Sequence, residues 1–250
     1  MKNLLKEEFY KSNKGITQYL CFGIALFMAL AVAVLYIVIS DGYDWITFQT
    51  DMPWSISIPA HVAVFVMVYI CNEFSRGTVK NYISLGFSRN KVFWAKYIKI
   101  LVITFVLLFA CQLLTLTFTP FVLKAEIVNF WPNALYYAYA LLAILEYVSF
   151  FVAIGFITKS VGAIIGIYFG LSVFVGVIDG IKIFGNFPVI EFLSKFFDYA
   201  YIGKQVNLGE KIFIVGGTMP EMVLAIIVPI IVSGISIFGG MYFFNKSDIK

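Results

Sequence analysis

Charge is what this chain has least of: Asp, Glu, Lys and Arg make up 13% of its 250 residues, where soluble domains carry about a quarter. With 61% hydrophobic residues and a mean hydropathy of +0.93, that scarcity excludes a water-soluble globular domain. Histidine occurs once, at His61, with no metal partners in sight. The three cysteines, Cys21, Cys71 and Cys111, form no CxxC and fall in or beside apolar runs, so neither a disulfide framework nor a zinc site is expected. They read as small packing residues. The patterns G-x-x-x-x-G-K-[ST], G-x-S-x-G and H-E-x-x-H are all missing, and Gly203-Lys204 is followed by Gln205. ATP hydrolysis through a P-loop is thereby excluded, intramembrane hydrolysis has no support, and no catalytic residue, metal or cofactor is expected of this chain.

What is present is a series of long apolar runs. Six approach the ~20 residues that cross a bilayer as a helix: 19–40, 56–71, 93–119, 134–157, 161–178 and 221–244. The fold class expected is all-α integral membrane, one membrane-embedded domain over 1–250 with no loop long enough for a separate globular unit. Charge sets the orientation. With the N-terminus inside, thirteen basic residues are cytosolic (Lys2, Lys6, Lys11, Lys14, Arg76, Lys80, Arg89, Lys91, Lys96, Lys99, Lys159, Lys246, Lys250) and five are external. Nine acids lie outside and four inside, so six spans with both ends in the cytosol are expected. The first run is too long for a signal-peptide h-region and is expected to remain in the mature chain.

Local signals divide the remainder. Leu5 and Phe9, one turn apart among lysines, predict an interfacial helix over 1–18. Trp45 and Trp54 place the external loop 41–53 at headgroup depth. Pro59 and Trp131-Pro132 mark helix starts, Thr218-Met-Pro-Glu221 has capping-box spacing, and Pro229 predicts a kink. Gly162, Gly166 and Gly170 share one helical face, a packing surface for a neighbouring span or a second copy. In the external segment 179–217, Glu191, Ser194, Lys195 and Asp198 face one way and Ile190, Leu193, Phe196 and Phe197 the other. This amphipathic helix either lies on the outer leaflet or dips over the bundle.

Glu146 is the one acid well inside a run. It either binds a cationic group or supports a cavity, or else joins helices as a protonated or hydrogen-bonded side chain, since no lysine or arginine is placed deep in a span to meet it. His61 reads as an interfacial polar residue.

The loop 72–92 carries the functional signal. Glu73-Phe74-Ser-Arg76-Gly77-Thr78-Val-Lys80, then Leu85-Gly86-Phe-Ser88-Arg89 and Lys96, resembles the first cytosolic loop of type-2 ABC transporter permeases, E-x-x-x-G-T-x-K and G-x-S-R-x-x-x-x-x-x-K. The close, Phe244-Asn-Lys-Ser-Asp248-Ile249, is similar to the F-x-[KR]-x-D-[IL] ending of such permeases. Physically, Asn72 to Leu85 can form a short helix, Gly86 can end it in a left-handed conformation, and Ser88 can cap the helix that follows. The resemblance implies a coupling helix seated in a separate ATP-binding subunit, with Glu73, Phe74, Arg76, Gly77, Thr78 and Lys80 as contacts and Arg89 bracing the turn. It further implies two ATPase subunits that hold ATP and Mg, a second permease copy, identical or not, lipid but no nucleic acid as further partners, and a bacterial cytoplasmic membrane. Size and aromatic content are similar to exporters of amphipathic peptides, of the phenol-soluble modulin and bacteriocin or lantibiotic immunity type. Lipid, drug or ion efflux, an ATPase-independent channel or carrier, and a membrane scaffold are the alternatives.

Overall fold

The computed structural model describes residues 2–39, 58–123, 130–185, 187–200, 212 and 216–247. The loop 41–53 with Trp45 and Trp54, most of 201–215 and the Asp248-Ile249 close lie outside the described residues. Among those described, all regular structure is helical: α1 (Lys2–Lys14), α2 (Ile16–Ile39), α3 (Ile58–Val66) running through a π-helical turn (Met67–Cys71) into α4 (Asn72–Ser75), α5 (Thr78–Ser84), α6 (Arg89–Leu123), α7 (Phe130–Thr158), α8 (Val161–Phe184), α9 (Pro188–Ala200) and α10 (Met219–Lys246). Uncharged runs favour helices because lipid supplies no partner for backbone polar groups, and a helix pairs them within itself. Four helices, α6, α7, α8 and α10, are long and apolar enough to cross a membrane, and the bent pair 60–75 with 78–84 makes a fifth if counted as one span. In α2 the apolar helical stretch that qualifies is shorter, Gln18–Met28.

The core runs through α3, α6 and α7, with α10 laid along α7 and α2 against α6. Two glycines permit the closest approaches between helices. A Cβ at Gly155 would stand 2.7 Å from Val66 Cγ1, and one at Gly240 would stand 2.9 Å from Ala153 Cα. The glycine stripe behaves differently: Gly162, Gly166 and Gly170 are exposed, and a Cβ on Gly166 or Gly170 would meet nothing within 4 Å. They pack against no neighbouring span of the described chain, because α8 turns this side outward along with Phe169, Val173 and Val177.

Thr218 donates its N–H to the Glu221 carboxylate at 2.9 Å and so caps α10, which runs unbroken past buried Pro229. The amphipathic helix α9 packs against both α8 and α10, Phe197 meeting Phe174 with ring centroids 5.8 Å apart. Cys21, Cys71 and Cys111 are free and buried.

Candidate functional site

The loop 72–88 folds as two helices, not one. Asn72–Ser75 prolongs the α3 direction, and α5 departs at 66° after Arg76-Gly77. Gly77 sits at φ 70 and Gly86 at φ 88, left-handed conformations that cost a residue with Cβ about 1–2 kcal/mol, so glycines bracket α5 at both ends. Ser88 precedes the first turn of α6, its carbonyl accepting from Val92 N–H at 3.1 Å. Of α5, Val79 and Tyr82 are buried, whereas Lys80, Asn81 and Ser84 are exposed and Leu85 beyond it is 75% exposed.

Beneath α5 lies an ion cluster that the sequence did not announce. Lys96 and Lys99, expected as cytosolic loop cations, are completely buried on the inner face of α6. The Lys96 ammonium has three N–H donors and uses each: to Glu73 Oε2 at 2.6 Å, to Glu8 Oε1 at 3.1 Å and to the Tyr69 carbonyl at 3.1 Å. That carbonyl belongs to the π-helical turn, where i→i+5 spacing displaces the ordinary helical pairing. Lys99 donates to Glu8 Oε2 at 2.8 Å and stands 3.9 Å from the Tyr69 ring centroid. Two carboxylates and two ammoniums cancel, which makes their burial tolerable.

Glu8 comes from α1, so the N-terminal helix does more than rest on a membrane surface. It plugs Leu4 and Glu8 into the bundle while Lys2 and Lys6 stay exposed. Burial alone would raise the Glu8 carboxyl, but Lys96 and Lys99 together outweigh it and hold its pKa at about 2. Tyr82 closes the cluster from α5: its hydroxyl accepts from Lys11 at 2.6 Å and donates to Glu7 at 3.4 Å. Burial and the carboxylates Glu8, Glu73 and Glu7 push the phenol well above its ordinary value, keeping it a neutral donor. A cavity of about 340 Å³ adjoins, lined in part by Lys11, Tyr69, Asn72, Glu73, Arg76 and Thr78.

The other loop residues divide accordingly. Glu73 faces inward, to Lys96. Phe74 also packs inward, edge-on to Phe156 and Phe244 with centroids 5.7 and 5.9 Å away, and Lys159 stands over its ring at 5.4 Å. Arg76 and Lys80 remain exposed. Arg89 does not brace the turn: its Nη1 donates to the carbonyls of Phe244, Asn245 and Ser247 at 2.9, 2.8 and 2.7 Å. The last carbonyls of a helix lack internal partners and form its negative pole, so they draw this guanidinium. The loop, the α7–α8 turn and the end of α10 are therefore fastened together at one end of the bundle.

His61 is buried in α3, its ring 6.5 Å from that of Phe65. Glu146 is buried in α7, beside a second cavity of about 160 Å³. Among the described residues no three His, Cys, Asp or Glu side chains gather as a metal site. The first cluster binds α1, α4 and α6 together and can carry displacement between them. A signal for it was present in α6, where Lys96 and Lys99 occupy the same stripe as Val92, Ile100, Ile103 and Leu107.

No family model matches the chain, and no curated protein matches it.

Proposed function

We propose that this chain is the membrane-spanning subunit of an ATP-driven type-2 ABC exporter, with six spans, both ends cytosolic, in a bacterial cytoplasmic membrane. A second copy pairs with it to enclose a pathway, and two separate ATPase subunits bind below and supply ATP and Mg. The observation that carries this reading is α5 itself: a short helix set off at 66° between two left-handed glycines, exposing Lys80, Asn81, Ser84 and Leu85 while its inner side is held to α1 and α6. A helix pushed from the cytosol there moves with its attachments. Glu73 takes displacement to Lys96 of α6, and Phe74 takes it to Phe156 and Phe244 of α7 and α10. ATP binding would close the ATPase pair and bias the bundle toward its outward state through the difference in affinity for the two states. The gathering of Arg76, Lys80, Arg89, Lys91, Lys159 and Lys246 toward one end favours placing that end in the cytosol. Amphipathic peptides are the proposed cargo, from the small size and greasy helices of the chain.

The test is whether a P-loop ATPase is encoded beside this chain and is captured by it. Wild-type protein should co-purify with it and couple its turnover. Leu85→Asp should lose both while leaving the unfolding midpoint of the permease unchanged, since Leu85 is exposed. Equal capture and turnover by Leu85→Asp and Lys80→Glu would sink the docking role. Stimulation by lipids or drugs but never by amphipathic peptides would overturn the cargo.

A further inference from the structure

The cavity of about 340 Å³ beside the ion cluster falls in the size range of small-molecule sites, ~300–1,000 Å³. Lys11 of α1, Asn72 of α4, Arg76 at the joint and Thr78 of α5 line it, with Glu73 and Lys99. Its charges do not balance. Glu7 pairs with Lys11 at 2.7 Å, Glu73 with Lys96 at 2.6 Å and Glu8 with Lys99 at 2.8 Å, so each of the three acids is already met by a lysine. Arg76 is a fourth cation. It is exposed, and its guanidinium makes no hydrogen bond or ion pair among the described residues. The side chains of Asn72 and Thr78 are half-buried at the same cavity and likewise bond to no described residue. One positive charge and three sets of unused donors therefore line a single volume.

A second feature says what carries the matching anion. Helix α2 begins just after Gly15, which also lines the cavity, and its Ile16, Leu20, Ile24 and Phe27 form one exposed apolar face. From Ile16 to Phe27 the helix rises roughly 16 Å, about half of the ~30 Å hydrocarbon core and so the depth of one leaflet.

We propose that this cavity holds the phosphodiester of an anionic membrane phospholipid, whose acyl chains lie along the apolar face of α2. The Arg76 guanidinium presents paired N–H donors matched to two phosphate oxygens, and the Asn72 amide and Thr78 hydroxyl supply further donors. Glu73 is the acid on the wall, and its carboxylate is committed to Lys96. A headgroup with one net negative charge cancels the unpaired positive charge, whereas a zwitterionic headgroup brings another cation beside Lys11 and Arg76 and leaves the imbalance in place. The phosphate bridges α1, α4 and α5 across the Arg76-Gly77 joint. Arg76 and Thr78, which the permease resemblance assigns to the ATPase, serve the lipid here, and the exposed Lys80, Ser84 and Leu85 remain for docking. The site stands whether or not an ATPase docks on α5.

The test uses the purified full chain, delipidated in a neutral detergent without ATPase. Native mass spectrometry counts the lipids it retains from mixed micelles of phosphatidylglycerol and phosphatidylcholine with the same acyl chains. One phosphatidylglycerol per chain should be held at least tenfold more tightly than phosphatidylcholine. Arg76→Gln should abolish that preference without moving the unfolding midpoint of the lipid-free chain, and Asn72→Ala combined with Thr78→Ala should weaken retention several-fold. Lys91→Gln, which removes an exposed cation that does not line the cavity, should change neither. Equal retention of the two lipids, a preference that survives Arg76→Gln, or an equal loss in Lys91→Gln would each overturn the site. Displacement of the lipid by an excess of inorganic phosphate would show a free anion as the occupant and overturn the lipid. None of these readouts involves an ATPase, so their failure is separable from a failure of ATPase capture.

Discussion

Replacing Glu8 by glutamine removes one of the two negative charges that neutralise Lys96 and Lys99. The side chain keeps its size, so the perturbation is electrostatic. Lys96 retains Glu73 and the Tyr69 carbonyl, whereas Lys99 keeps the face of the Tyr69 ring and a weaker attraction to Glu73. The Glu8–Lys99 pair is 2.8 Å long and both side chains are 1% exposed. At an effective dielectric of 20 that separation corresponds to about 6 kcal/mol of attraction. Part of this is returned when the neutral amide is buried in place of the anion, leaving the ~3–5 kcal/mol typical of breaking a buried pair. Substituting Lys99→Met as well removes the stranded ammonium and should restore more than half of the loss. Stability is read by denaturation in mixed micelles, as a double-mutant cycle with a coupling of about 2–3 kcal/mol. The pH profile supplies a second readout. The Glu8 carboxyl titrates at about 2 in the folded protein against an ordinary 4.5, so its stabilisation is full above pH 4.5 and is lost as the pH falls towards 2. Glu8→Gln should flatten that acid limb. A loss under about 1 kcal/mol with additive single mutants would refute a cluster acting as a unit.

Three further outcomes follow from the geometry. Gly77→Ala should cost about 1–2 kcal/mol at φ 70 from backbone strain alone, since its Cβ would meet nothing within 4 Å; an unchanged denaturation midpoint would contradict the left-handed turn. Gly240→Leu should cost more, about 3 kcal/mol, because even a Cβ would stand 2.9 Å from the Ala153 backbone, and loss of the α7–α10 contact would be seen by disulfide trapping between cysteines introduced in these helices. Arg89→Met should release three carbonyls at the end of α10, raising hydrogen exchange at Ser247, whose amide bonds to Phe243, by at least tenfold, with Arg89→Lys restoring only part of the protection.

Features decided within a few residues were legible in the sequence. The Thr218–Glu221 cap, the left-handed Gly86 and the start of α6 after Ser88 each depend on local bonds. The ion cluster depends on α1 folding back onto α6, a contact between residues 91 apart, and no local pattern reports that. Its lysines were visible but read as cytosolic loop cations, because a basic residue near the end of an apolar run has the same spacing whether it snorkels outward or is met by a distant carboxylate. The glycines carried the opposite lesson. Repetition at Gly162, Gly166 and Gly170 marked an open face, while the tight contacts between helices fell at Gly155 and Gly240, where the residue opposite decides the fit.

The π-helical turn at Met67–Cys71 also sets a phase. One extra residue in a turn sets every later side chain back around the axis by about 100° relative to an unbroken α-helix, which brings Glu73 and Phe74 to the sides where Lys96 and Phe156 await them. Deleting one residue from this turn would remove the extra one and leave α4 and α5 facing as they do, whereas closing it into an ordinary α-helix at full length would rotate both by that same step. In that case the span would keep its apolar composition while the end that carries α5 pointed the wrong way, like a correctly cut key whose bow has been turned on its shaft.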